Sequence, residues 1–261
     1  MTEQIIAIVF AALFGAIFGS FENVLILRWH EEVSIMGRSH CPACKKQIKW
    51  MYLIPIVSWL ALHGKCAECD AGISIQYPLV EAAAVILAII AAVRHDPFLD
   101  PTMFTFEFLV TVGLIVPVVM DIRWKELPLE YLIGLASLAF MFRILIIHPL
   151  TTSASTIALG YDALAVVGLF AFFGLQVAIS REKWVGSGDA WFGVLMGAIL
   201  GWPNALFGLY GAYIMGGSVA IAGLALGKLK RGDRVPFAPA LAAGTLLALW
   251  YGAPILAFFF T

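Results

Sequence analysis

The chain has 261 residues, of which 62% are hydrophobic and 13% charged, with a net charge of -1 and a mean hydropathy of +0.94. That composition excludes an ordinary soluble domain. The near-zero net charge gives no bulk attraction for nucleic acid, so the information lies in where the charges fall along the chain.

A helix needs about 20 apolar residues to cross the hydrocarbon core. On that length the sequence predicts an all-α polytopic membrane protein of about eight spans, at residues 4–27, 76–94, 102–121, 128–147, 157–179, 186–203, 205–227 and 237–258. The first is read as a permanent span and not a signal peptide, because no basic stretch precedes it and Glu22, Asn23 and Arg28 follow without a small-residue cleavage site. The sixth and seventh form one apolar stretch split by Gly201-Trp202-Pro203-Asn204, where Pro and Gly end a helix and Asn favours a turn. Three parts result: a first span at 1–27, a hydrophilic insert at 28–75, and a core of about seven spans at 76–261.

Lys and Arg set the orientation. Arg28, Arg38, Lys45, Lys46, Lys49, Lys65, Arg123, Lys125, Arg181, Lys183, Lys228, Lys230, Arg231 and Arg234 fall in alternate loops, leaving Arg94 and Arg143 for the other face. The positive-inside rule makes the crowded face cytoplasmic, with the insert on it and both termini outside.

All four cysteines lie in the insert, as Cys41-Pro42-Ala43-Cys44 and Cys66-Ala67-Glu68-Cys69 with 21 residues between the pairs. Two C-x2-C knuckles at such spacing suit a tetrahedral Zn2+ site, and four thiolates leave no open position for water, so the metal would be structural. A disulfide pairing competes but sits poorly with a reducing cytosol. His40 and His63 stand near the knuckles as substitute ligands or as solvated surface groups. The apolar stretch between the knuckles, Tyr52 to Leu62, either packs on the ribbon or lies at the membrane interface.

Ionisable residues inside apolar spans are costly and are functional candidates by default. Here they are Glu22, Glu81, Glu107, Asp121, Glu130, Asp162 and Asp189, of which Glu107, Glu130 and Asp162 are expected to face water near helix ends. Asp121 and Asp189 fall at cytoplasmic ends of two spans. Two carboxylates brought within reach of each other cannot both ionise readily, so one serves as acid while the other activates water, which hydrolyses an amide without a metal. Gly186 and Gly188 flank the approach to Asp189 and are expected to let the backbone turn tightly and admit a substrate strand. Two blander readings stay open: Asp189 as a helix cap with Asp121 paired to Arg123 or Lys125, and polar groups lining a transport path.

These residues carry a resemblance. Gly19-Ser20-Phe21-Glu22-Asn23-Val24, Arg28, Gly37 to Cys44, Pro55 to Leu60, Gly64 to Cys69, Tyr77 to Glu81, the Asp121 segment, Gly186 to Asp189 and Pro236-Phe237-Ala238-Pro239 together resemble the bacterial type IV prepilin peptidases, membrane aspartic proteases of the Gly-x-Gly-Asp type. The resemblance implies an inner-membrane enzyme whose catalytic pair is Asp121 and Asp189. It would remove the basic leader of type IV prepilins or type II secretion pseudopilins after glycine. Relatives with the four-cysteine insert also N-methylate the new amino terminus from S-adenosylmethionine, and motif position makes Glu22, Asn23, Arg28 and Glu81 the candidates for that step. Three positions depart from the family pattern: Leu129 after Leu127-Pro128 where an Asp is usual, Trp191 where a Lys is common, and Ala238 in place of a glycine. The rivals from other classes are a transporter and a membrane adaptor that docks a partner through its zinc ribbon.

Overall fold

The computed structural model describes residues 2–230 and 233–260, and for 253, 256, 257, 259 and 260 the backbone alone. Arg231, assigned above to a basic loop, lies outside the described residues. The described chain is helical: α1 (Thr2–His30), α2 (Val57–Ala61), α3 (Gln76–Arg94), α4 (Pro101–Gly113), α5 (Ile115–Trp124), α6 (Leu129–Phe142), α7 (Ser153–Ser180), α8 (Ser187–Leu200), α9 (Asn204–Ala225) and α10 (Ala238–Phe260). Among the described residues the only extended pairing is two isolated bridges, His40 with Gln47 and Lys65 with Gly72.

Each expected span is helical, but among the described residues six are long and apolar enough to cross a membrane, while α8 and the described part of α10 are shorter apolar helices. At 14 residues, α8 extends only about 21 Å at 1.5 Å per residue, against a core of about 30 Å. It stops where expected, at Gly201, whose φ of +62 a side chain would strain. Two limits differ from expectation. The first helix continues through His30, which places Arg28 in its last turn. The span at 101–124 is interrupted at Leu114, three residues before Pro117, whose missing N–H and bulky ring break the ladder; it then continues past Asp121 to Trp124.

The chain forms two compact units, Met1–Val116 and Pro117–Thr261. In the first, α1 lies along α3 through glycines. A Cβ on Gly15 would stand 2.8 Å from the Ala88 Cβ, and one on Gly19 would stand 2.8 Å from the Cα of Glu81, the small-xxx-small packing that lets helices approach in lipid. Phe14 and Phe18 meet Phe108 of α4 at ring distances of 5.1 and 5.0 Å. Glu107 is buried against Arg94 at 2.9 Å and His95 at 3.1 Å, so it is an ion-paired strut and not the water-facing group its span-end position suggested.

In the second unit α8 is the most enclosed helix, held between α6 and α7. Asp162, also expected near water, is 2% exposed. Its carboxylate accepts from Arg143 Nε at 2.8 Å and from the Trp202 backbone N–H at 3.0 Å, while Arg143 also donates to the Ile199 carbonyl. This buried pair ties α6, α7 and the end of α8 together. Glu130 is exposed.

Gly197 is where α8 meets α7: a Cβ there would come within 2.8 Å of the Val166 Cα and 2.9 Å of its backbone nitrogen. Backbone cannot yield as a side-chain tip can. Gly197→Val is therefore expected to destabilise the protein by about 1–3 kcal/mol, read as a lowered Tm in detergent. Gly168→Ala on α7, with open space around the added carbon, leaves Tm unchanged or raises it.

Candidate active site

Asp121 and Asp189 both belong to the second unit, and both are buried, at 7% and 8% exposure. Asp121 sits one turn before the end of α5. Its Oδ2 accepts a hydrogen bond from the backbone N–H of Ala238 at 2.8 Å, and the Phe237 N–H also reaches it. Those donors are orphan amides of the first turn of α10, where the helix dipole favours negative charge. Asp189 is the third residue of α8, and its Oδ2 accepts from the Gly186 N–H at 2.9 Å. This is half of a capping box, since the glycine has no side chain to complete it. Each carboxylate is thus held by backbone N–H at a helix N-terminus. The two lie within range of mutual electrostatic repulsion, and Lys125, just beyond α5, adds a positive field at Asp121.

The expected capping role of Asp189 is real, then, and coexists with its place beside a second carboxylate. The glycines act differently from expectation. Gly186 is extended, with φ -79 and ψ 157, and Gly188 does not occur among the positive-φ residues, so neither supplies a left-handed turn. At Gly188 the need is space: a Cβ would come within 2.9 Å of the Leu127 side chain. Leu127 belongs to the loop after Asp121, so this close approach brings the two aspartate-bearing segments together. Sequence reasoning missed Tyr213 of α9, whose hydroxyl donates to Gln176 at 3.0 Å, whose ring meets that of Phe237 edge to face at 5.3 Å and which feels the charge of Asp189. A tyrosine in a span reads as an interfacial anchor, and nothing local marks it otherwise.

In the first unit the four cysteine sulfurs lie within 4.8 Å of one another, and Cys41 and Cys69 approach to 3.9 Å. Tetrahedral zinc with bonds of about 2.3 Å requires sulfurs about 3.8 Å apart, so the donors fit a metal as they stand. His40 and His63 are outside this cluster. The two knuckles repeat each other at an offset of 25 residues. Lys45 N–H bonds to the Cys41 carbonyl and Asp70 N–H to that of Cys66, while Cys41 N–H bonds to Lys46 and Cys66 N–H to Ala71. Lys45 and Asp70 share positive φ, at 60 and 54. Backbone N–H groups of Cys44 and Ala43 hold the Cys41 thiol down to about 6. Cys69 is pushed up to about 12: the Ala71 N–H opposes the rise, but burial and the sulfurs of Cys44, Cys66 and Cys41 prevail. Such crowded sulfurs part with their remaining protons when a cation joins them.

Residues 13–95 match the family described as Bacterial Peptidase A24 N-terminal domain, and residues 108–221 match the Type IV leader peptidase family. The prepilin leader peptidase/N-methyltransferase of Bacillus subtilis (strain 168) is 31% identical over 249 residues, covering 95% of each chain. The chain belongs to the type IV leader peptidase family. The enzyme of the same name from Dichelobacter nodosus is 30% identical, over 96% of this chain and 93% of its own, and that of Stutzerimonas stutzeri is 30% identical over 95% and 91%. No solved structure matches the chain.

Two of the three departures from the leader peptidase pattern now have a local account; Leu129, where an Asp is usual, has no structural explanation, since the side chain against Gly188 is that of Leu127. Trp191 points to Phe170 at 5.2 Å. Ala238 offers Asp121 a backbone N–H, which alanine and glycine provide alike.

The four methylation candidates separate in this family member. Asn23 donates to the carbonyls of Gly19 and Tyr77 and accepts from Gln76. Arg28 holds the carbonyls of Ser34, Ile35 and Gly37, folding the start of the insert. Glu81 accepts from the Ile56 N–H at 2.6 Å and from Ser20. All three make hydrogen bonds within the first unit. Glu22, 4% exposed, has an Oε2 with no hydrogen-bond partner among the described residues, which a buried carboxyl tolerates poorly unless a ligand supplies the donor.

Proposed function

We propose that the protein is an inner-membrane aspartic endopeptidase that removes the basic leader of type IV prepilins or type II secretion pseudopilins after glycine, and N-methylates the amino terminus so exposed. One observation carries the peptidase reading: two buried carboxylates in one unit, each hydrogen-bonded to backbone N–H groups at a helix N-terminus. The prepilin's apolar helix lies among the spans with its leader at the cytoplasmic face, presenting the scissile amide to the pair. The ionised aspartate takes a proton from water as the oxygen attacks the glycine carbonyl, and the protonated one donates its proton to the departing nitrogen as the C–N bond breaks. Tight backbone anchoring keeps both in place through the cycle. Incubation with a prepilin in detergent, followed by gel and mass measurement, tests the reading. Loss of the leader mass is expected, and an intact substrate would overturn it. Family membership disfavours the transporter and adaptor readings.

Cys41, Cys44, Cys66 and Cys69 would hold a structural Zn2+, stabilising an insert too small to fold on its own. S-adenosylmethionine, when bound, would supply the methyl group for the new amine. For that cationic donor Glu22 is the acceptor best left open, with Asn23, Arg28 and Glu81 shaping its surroundings. A charge-assisted hydrogen bond is worth about 1.5–3 kcal/mol, so Glu22→Gln is expected to cut methylation by roughly 10- to 100-fold while leader removal continues. Mass spectra of the processed pilin separate the two products, and undiminished methylation would remove Glu22 from the site.

A further inference from the structure

We propose that the segment from Trp50 to Leu60, between the two cysteine knuckles, is an interfacial anchor seated in the lipid headgroup region of the bilayer that α1 and α3 cross. Its side chains divide by face. Trp59 turns inward: its Nε1 donates to the Ile73 carbonyl at 3.2 Å, and its ring lies so close to Gly64 that a Cβ there would stand 2.9 Å away. Trp50, Met51, Leu53, Ile54, Val57 and Leu60 turn outward, and Trp50 is 72% exposed, Val57 60% and Leu60 59%. Those exposures lie close to or above that of an outward-facing residue on α1 such as Leu13, at 63%. A soluble surface does not carry six such side chains within eleven residues without a partner.

Two observations choose lipid as that partner. The first is position. The Ile56 N–H is bonded to Glu81, which lies in the second turn of the α3 span, so the segment is held at the level where that helix enters the membrane. Ile56 has φ +61, a conformation β-branched residues avoid, and the cost is borne at the residue that makes this tie. The second is charge. Lys45, Lys46 and Lys49 precede the segment and Lys65 follows it, all exposed; Glu68 pairs with Lys46 at 2.8 Å and Lys49 at 4.0 Å, one carboxylate against four lysines, so the rim stays positive. Apolar and aromatic side chains rimmed by lysines match an anionic headgroup layer, with the apolar face entering by about 5–10 Å.

The test uses the full-length protein in nanodiscs of anionic lipid carrying bromine either near the headgroup end or near the terminal end of the acyl chains. Subtracting the emission of Trp50→Phe from that of the wild type isolates Trp50. Leu60→Trp gives a second probe that leaves Trp50 in place, with zinc content and leader removal checked in both variants. The expected result is a blue-shifted Trp50 signal, quenched more by the shallow bromine than by the deep one, with the added signal of Leu60→Trp behaving alike. Water-like emission untouched by either lipid overturns the anchor. Emission that stays unquenched until prepilin is added and then shifts to the blue also overturns it, and assigns the surface to the substrate helix.

Discussion

Asp121→Asn and Asp189→Asn are each expected to leave the protein folded, inserted and metal-loaded while lowering prepilin cleavage by about a thousandfold or more, the scale of a lost general acid or base. The amide oxygen of Asn at 121 can still accept the Ala238 N–H, and at 189 that of Gly186, so the backbone clamps survive and the loss falls on proton transfer. The double variant should be little worse than either single one, because groups that act as a unit are not additive. Initial rates with a purified prepilin, read beside Tm and zinc content, make the comparison. Either single variant cutting at the wild-type rate would end the dyad reading.

Removing the metal is expected to act on the other activity first. Cys44→Ser combined with Cys69→Ser leaves two of the four sulfurs. Structural zinc contributes apparent binding free energies of about 10–16 kcal/mol in small fingers, which exceeds what the insert's sparse buried contacts provide. The insert should then lose its metal and become open to protease between residues 31 and 75. Methylation should fall at least as far as cleavage, because the insert meets α1 and α3 through Arg28 and Glu81, beside Glu22, whereas both aspartates belong to the other unit. Metal analysis, limited proteolysis and the mass of the processed pilin report the three effects separately. Full methylation by a metal-free variant would detach the insert from that step.

The helices were legible because lipid leaves the backbone few alternatives: apolar runs of span length must bond within themselves, and the break at Gly201 to Asn204 is local chemistry. The cysteine cluster was legible for a similar reason, as C-x2-C is a local geometry. What escaped was non-local. Nothing in the residues around Asp121 announces that its partner is an amide at position 238, since a backbone donor leaves no side-chain signature. Glu107 and Asp162 read as water-facing by position, and only the fold shows Arg94 and Arg143 arriving to neutralise them. Gly186-Ser187-Gly188 suggested a flexible turn, yet its second glycine is there to make room for Leu127. The 25-residue repeat of the knuckles hides because Pro42, Ala43 and Lys46 are matched by Ala67, Glu68 and Ala71: the shared part is hydrogen bonding, and the side chains differ.

The clamp on Asp121 reaches across 117 positions of chain, to the first turn of α10. Synthesis proceeds from the amino end, so during translation this carboxylate waits, unheld, until α10 has emerged and docked, and any truncation upstream of residue 237 discards the restraint along with the helix.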